Sequence, residues 1–456
     1  MARLRFLHRF RRDPLGFYLR AWRQFGDIAR LETGRSTFLV AHPDFVKHVL
    51  QDNRANYTTS LPAGRLQPLV GRGLGTSVGD DWQRQRRFLQ PVFRPGRVVT
   101  FAPSIAEATV AMLARWPVRA PVNISEEMTT LNYTIMGRTL FGDAVGTTDA
   151  LGALMRAAAD HVDRRVLRLL DVPDWLGTPA TRRFRRARAR LGAAVRDAIG
   201  TARCKAGGSS ILSMLVEAAA AKPDAAMTEE LLEDEILTFV YAWHDTTSTA
   251  LAWTWSLLGA SREIQERLHA EVAAVLGGRT ASAHDLPRLP YTRMIVEEAL
   301  RLYPPLWANV QRADGHDEIG GHPIPAQSIV VLSPYITHRH PAYWEDPERF
   351  DPERFTAERA AARPRYAYFP FGGGPRLCIG NDLAMMEMQL VVATMAQHCA
   401  LTAVPGPAPV PVVAPTLRPN RAVWMVPRAR AAGGAAGSGE RRLADERGTE
   451  RRGYTK

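Results

Sequence analysis

Apolar residues recur at helical spacing along most of the chain. The longest run follows Thr228, a good N-cap with Glu229 and Glu230 in the first turn, and continues to about Leu258. At ~1.5 Å per residue it spans on the order of 45 Å, enough to cross the whole molecule. An aromatic-rich amphipathic helix begins at Asp13-Pro14, and a basic one covers Asp81–Phe88. Several more lie between residues 104 and 203. Pro173, Trp175, Gly177 and Pro179 break the pattern before an Arg-rich helix, Arg182–Arg190. Ser261–Leu276 stops at Gly277-Gly278, and Tyr291–Tyr303 stops at Pro304-Pro305. A last helix runs from about Asn381 to Ala400. Period-two patterns are fewer. Asp27–Glu32 and Ser36–Ala41 read as strands paired around Gly34, and Ile319–Ile336 as a small antiparallel sheet. Residues 59–80 carry three Gly-containing turns and little periodicity, which predicts a loop.

Composition narrows the class. With 456 residues, 46% of them hydrophobic, the chain can bury a large core. Residues 428–456 are rich in Arg, Gly, Ala and Glu and read as a disordered tail. Residues 1–13 form a basic leader without an apolar run long enough to span a bilayer or make a signal peptide. Three cysteines, Cys204, Cys378 and Cys399, point to a reducing compartment, hence the cytoplasm. The net charge of +13 fits either a solvated basic surface or a docking face for an acidic protein. No nucleic-acid module stands out, and the Arg182–Arg190 run reads as a solvated helix face.

The chemistry concentrates in Tyr368–Asn381, YFPFGGGPRLCIGN. Three consecutive glycines permit a tight turn that can lie against a flat ligand. Cys378 follows the turn and precedes an apolar helix, whose free N–H groups and dipole favour a thiolate. Such a thiolate suits haem iron. A buried structural cysteine beside a Gly hinge is the other reading, but it leaves Phe371 and Arg376 unexplained.

Phe371, Gly374, Arg376, Cys378 and Gly380 fill every fixed position of F-x-x-G-x-R-x-C-x-G, and the stretch resembles the haem-thiolate signature of the cytochrome P-450 family. The resemblance covers residues 14–427 and implies one haem domain: a triangular, mainly α fold with small β-sheets (α+β) and a β-rich N-terminal region. It implies haem b with Cys378 as axial ligand. Trp82 and Arg86 resemble the W-x-x-x-R pair that reaches a haem propionate, and Arg312 stands where the family has a further propionate arginine. His338 is a further donor candidate or a surface histidine. Glu298, Arg301 and Arg354 resemble a buried ion network behind the haem loop, with a folding role. Residues 405–415 and 417–426 resemble the last hairpin.

The resemblance also implies the reaction. O₂ is activated at the haem and one oxygen atom enters an apolar small molecule, such as a terpene, fatty acid or polyketide. Electrons from NAD(P)H would arrive through separate proteins, an acidic ferredoxin or a flavodoxin-type reductase system. Asp245-Thr246 resembles the acid–alcohol pair that delivers protons. The family has Gly where this chain has Trp243, so Ala242 and Trp243 are the candidates for shaping the pocket. His244 sits at a freely varying position. Trp243 keeps open an alternative: a haem-thiolate protein that couples, isomerises or only binds its ligand.

Overall fold

The structure, a computed structural model, describes residues 10–430 apart from 11, 33–35, 60–61, 118, 143–147, 167–176, 206 and 222–226. Most of the expected leader and tail, the turn at Gly34, and the breaks at Pro173 and Trp175 lie outside the described residues. The longer helices are α1 Pro14–Phe25, α2 Pro62–Val70, α3 Gly79–Leu89, α4 Ala102–Leu113, α5 Ile124–Met136, α6 Thr148–Val166, α7 Pro179–Cys204, α8 Ile211–Ala221, α9 Glu229–Gly259, α10 Arg262–Leu276, α11 Pro290–Leu302 and α12 Asn381–His398. Local chemistry sets their ends. The Asp13 carboxylate accepts the Gly16 N–H at 2.8 Å, with Pro14 opening α1. Thr228 caps α9 by accepting the Leu231 N–H at 3.2 Å. Gly277, at φ 57°, closes α10 in the left-handed region.

Helix α9, 31 residues long, is the central element. Ile236, Leu237, Val240, Leu251, Trp255 and Leu258 are buried along it, and it packs against α5, α11 and α12. Helix α7 is amphipathic. Phe184, Leu191, Val195 and Ile199 face the core, while Arg188 and Arg196 hold Glu233 of α9 at 3.1 and 2.8 Å.

The strands are β1 Ile28–Glu32, β2 Ser36–Val40, β3 Tyr57–Thr59, β4 Val122–Asn123, β5 Asn309–Ala313, β6 Asp317–Ile319, β7 His322–Ile324, β8 Ile329–Leu332, β9 Cys399–Ala403, β10 Pro411–Val413, β11 Leu417–Pro419 and β12 Trp424–Ala429. The main sheet runs β1-β2-β8-β5-β3, antiparallel except for the β2–β8 pair. This corrects the expectation of one antiparallel unit over Ile319–Ile336. Only β6 and β7 form that hairpin, around Gly320 and Gly321. Strand β8 is buried at all four positions, as a central strand is, and lies between β2 and β5. Residues Pro334–Thr337 turn into a short helix.

Two boundaries also move. Residues 62–70 are helical rather than loop, because Pro62 presets the first turn and Leu66, Leu69 and Val70 bring one face to the core. Strand β12 continues to Ala429, paired with Cys399, and Arg430 is held by Glu266 at 3.0 Å. None of the described helices is long and apolar enough to cross a membrane.

Behind the Gly-rich loop, Glu298, Arg301 and Arg354 come together in the interior. Arg301 donates twice to Glu298, at 2.6 and 2.8 Å, and to the carbonyls of His338, Pro347 and Arg349. Glu298 also accepts the Asp351 N–H at 2.9 Å and pairs with Arg354 at 3.4 Å. Both Glu298 and Arg301 are 0% exposed. Removing one partner of such a group strands the other charge at a cost of about 3–5 kcal/mol. Glu298→Ala or Arg301→Ala should therefore lower the yield of folded, cofactor-loaded protein rather than alter its products. Normal thermal stability and loading in either variant would contradict this.

Candidate functional site

The site is built on the loop before α12. Gly374 has φ +61°, and a Cβ there would lie 1.9 Å from the Leu50 carbonyl oxygen. A Cβ on Gly373 would lie 2.3 Å from the Tyr366 ring. Only glycine allows this close approach. Tyr366 Oη accepts the Gly374 N–H at 3.0 Å and donates to Gln51 Oε1 at 3.0 Å. The Phe371 carbonyl accepts the Cys378 N–H at 3.1 Å, which closes the loop. Phe371 itself is half-buried against the helical core.

His338 is neither a surface residue nor a free donor. It is fully buried, its Nε2 accepts the Phe369 N–H at 2.9 Å, and its Nδ1 donates to the Arg301 carbonyl at 3.2 Å. Burial, then the charge of Arg301, keeps the imidazole neutral. It couples the ion network to the loop.

Cys378 is exposed at the open face of the loop. Desolvation by the surrounding protein pushes its thiol up, against the Gly380 N–H and the Arg86 charge, which pull it down. Cys204 is exposed on the end of α7, and Cys399 is buried and pushed up to about 12. Cys378 alone has a backbone donor and a guanidinium directed at it.

Trp82 and Arg86 of α3 lie beside this loop. Arg86 Nη1 donates to the Leu377 carbonyl at 2.9 Å, and the Arg376 guanidinium sits 4.5 Å from the Trp82 ring centroid. Arg376 Nη2 donates to the Ser77 carbonyl at 2.8 Å. Neither arginine pairs with an acidic group among the described residues. Arg312 is placed differently. It is tied to Asp314, at 3.2 and 2.9 Å, and does not touch Trp82 or Arg376. An open thiol next to half-buried guanidiniums without counter-charge fits a flat cofactor that carries carboxylates and a soft metal.

Helix α9 passes with different chemistry on two sides. Thr246 Oγ1 donates to the Ala242 carbonyl at 2.9 Å, one turn back, and the helix stays continuous. Ala242 is exposed. Asp245 turns to the other side. Its Oδ2 accepts from Arg418 Nε at 2.8 Å and from the Thr416 hydroxyl, both on the last hairpin. Arg418 also faces Asp163, 3.9 Å away, which accepts from Tyr241 at 3.0 Å. Asp245, His244, Ser248 and Thr249 line a polar cleft of about 460 Å³ with Arg156 and Arg418. At 3.6 residues per turn Asp245 and Thr246 point about 100° apart around the helix.

Two partners of α9, Asn132 and Glu387, carry no sequence signal. The buried Asn132 of α5 donates to the carbonyls of Trp243 and His244, at 2.9 and 3.2 Å. His244 is buried, with its Nδ1 at 2.6 Å from the Tyr241 carbonyl. The Trp243 indole N–H donates to Glu387 Oε2 at 3.0 Å, from α9 across to α12. These links join residues 111 and 144 positions apart, beyond the reach of any local pattern.

Glu387 is 0% exposed, and its Oε1 has no partner. Burial pushes the carboxyl up to about 8, against the Trp243 N–H. The unfolded chain loses this proton near 4.5, whereas the folded protein keeps it to about 8. Fewer protons on the unfolded state mean that stability falls as pH rises through that window. Glu387→Gln, which preserves the acceptor, should be more stable than the parent at pH ~8 and equal to it near pH ~4.5. Parallel stability curves in urea melts would place the carboxylate in contact with water.

The cytochrome P450 family model matches residues 6–424. Over 399 residues the chain is 35% identical to cyclooctat-9-en-7-ol 5-monooxygenase of Streptomyces melanosporofaciens, covering 87% of this chain and 86% of that protein. It is 34% identical over 427 residues to cyclooctatin synthase of the same organism, covering 92% of each. The solved haem domain of cytochrome P450DA matches in fold, with a TM-score of 0.83 at 24% identity over 92% of this chain and 93% of that one. A family match over nearly the whole chain, and relatives of the same length and kind, show that the protein belongs to the cytochrome P450 family of haem-thiolate monooxygenases.

Proposed function

We propose that this monooxygenase hydroxylates or epoxidises an apolar terpenoid, with Cys378 as the axial thiolate of its haem. The observation that carries the reading is the Phe371–Gly380 loop. It presents one exposed sulfur with a backbone N–H and Arg86 directed at it. When bound, the haem supplies the activation of O₂ and the transfer of one oxygen atom. The protein supplies the cradle, the protons and the substrate's position. Trp82, Arg86 and Arg376 would hold the haem carboxylates, and Phe371 would pack beside the thiolate.

The substrate class draws on a relative named for oxidising cyclooctat-9-en-7-ol at position 5. Leu69 and Val70 of α2 share one apolar cluster with Phe239 and Val240 of α9, one turn before Ala242 and Trp243, so the surroundings of this stretch are apolar. The indole of Trp243 is engaged by Glu387, so its replacement of Gly does not favour the non-inserting alternative.

Asp245 and Thr246 serve as the proton route. Adjacent in sequence, they point about 100° apart around α9 and meet different neighbours. Asp245 meets the polar cleft, where Arg418 holds it, and Thr246 lies on the side of Ala242. The partner that supplies electrons is acidic. Arg87, Arg94, Arg97 and Arg365 are exposed on α3, the turn after it and the approach to the Cys378 loop. A cytoplasmic location fits three unpaired cysteines.

Incubation with labelled O₂, a ferredoxin–reductase pair and a cyclic terpenoid should give a product carrying one labelled oxygen atom. Carbon monoxide on the reduced protein should give the long-wavelength band of a thiolate haem, and Cys378→Ala should abolish it. A retained band would reassign the ligand. Asp245→Asn and Thr246→Ala should leave haem and ligand binding near normal. Each should slow turnover on the order of 10²-fold and divert reducing equivalents to peroxide. Unchanged coupling in both would mean that protons enter elsewhere.

A further inference from the structure

We propose that Arg54, which no sequence motif marks, is a carboxylate-binding residue of the haem site, acting with Arg376 across the Trp82 ring. The inference rests on the haem reading above. Its grounds are geometric.

Arg54 opens a short turn, Arg54–Asn56, between the turn His48–Asp52 and strand β3. That earlier turn is the one the Gly-rich loop presses on, since Gly374 meets the Leu50 carbonyl. The contact brings Arg54 to Arg376, 322 residues further along the chain. The Arg54 guanidinium carbon lies 4.9 Å from the Trp82 ring centroid, and that of Arg376 lies 4.5 Å from the same centroid. Two cations share one indole.

Neither has an anion among the described residues. Arg54 makes no ion pair with any described residue, and its Nε is buried without a hydrogen-bond partner. Arg376 donates to the Ser77 carbonyl and pairs with no acid among the described residues. Asp52 pairs with Lys47 at 3.2 Å, and Asp314 with Arg312 at 2.9 Å. Two half-buried like charges side by side are costly unless a negative group joins them. A haem carboxylate is that group, and a guanidinium fork suits it.

The placement also explains why Arg312 is not needed there. Strand β5 turns it toward Asp314, which takes the Thr58 hydroxyl as well. Arg54, on the turn leading into the neighbouring β3, occupies the place beside Trp82 instead.

The test uses haem-loaded protein and three variants: Arg54→Gln, Arg54→Lys and Arg312→Gln. Two quantities are read, the rate of haem transfer to excess apomyoglobin and the midpoint potential of the haem iron. Losing one charge-assisted contact should speed haem loss at least about tenfold in Arg54→Gln. It should also move the potential lower, because a positive charge near the haem is removed. Arg54→Lys should recover most of both, and Arg312→Gln should change neither. A purely structural Arg54 would lower the melting temperature without moving the potential, and that result would overturn the proposal. So would transfer rates equal to the parent's. Failure of the haem reading looks different, because the parent itself would then lack the thiolate band.

Discussion

Glu298 and Arg301 are both completely buried, and neither charge is tolerable there alone. Their two short hydrogen bonds solve only part of the problem, since each group has further hydrogen-bonding capacity to satisfy. The remainder is satisfied by backbone: the carbonyls of His338, Pro347 and Arg349, and the N–H of Asp351. The ion pair thus fixes two irregular segments that have no ladder of their own. His338 extends the order one step further, by accepting the Phe369 N–H at the entrance of the Cys378 loop. The loop's shape depends on a charge pair that never touches the ligand.

Much of this was legible in the sequence. Helices announce themselves by periodicity and caps, and α9 is found almost to the residue. The Phe371–Gly380 pattern states its own function, because glycines, Arg and Cys at those spacings have few other uses. The misses share one cause. Strand β8 was read with its neighbours in sequence, but its apolar run Ile329–Leu332 belongs between two strands from elsewhere. Pro and Gly flanks hid α2, whose helicity comes from packing rather than propensity. Asn132, His338 and Glu387 are ordinary residues until a distant partner is known. Arg54 becomes notable only when the fold sets it beside a second arginine.

Burial changes what a polar residue does. On α9, Glu235 is buried like Glu387 and is pushed up to about 8, chiefly by desolvation. It accepts the Leu74 N–H at 2.9 Å, while Asp234 accepts the Arg72 N–H at 2.8 Å. Gly71 and Gly73 make this approach possible, since a Cβ on either would strike Asp234 or Thr238. The segment after α2 is therefore stitched to α9 through two acids and two glycines. Glycine here serves contact between backbone and side chain, not looseness.

The same view explains Trp243. A small residue at that position permits close approach between helix and cofactor; an indole gives that up. In exchange α9 gains a hydrogen bond to α12, the helix that leads directly out of the Cys378 loop. Asn132 grips the adjacent carbonyls from the other neighbour, α5. Residues 242–246 are thus clamped from both sides, and Thr246 and Asp245 are presented at fixed angles to the site and to the cleft. A helix held this way has little freedom to adapt to ligands. The β10–β11 hairpin is tied to this helix as well, since Trp253 Nε1 donates to the Leu417 carbonyl at 2.7 Å. The hairpin also carries Arg418, the cation on Asp245. Any ligand that moves the hairpin therefore also changes the charge environment of Asp245.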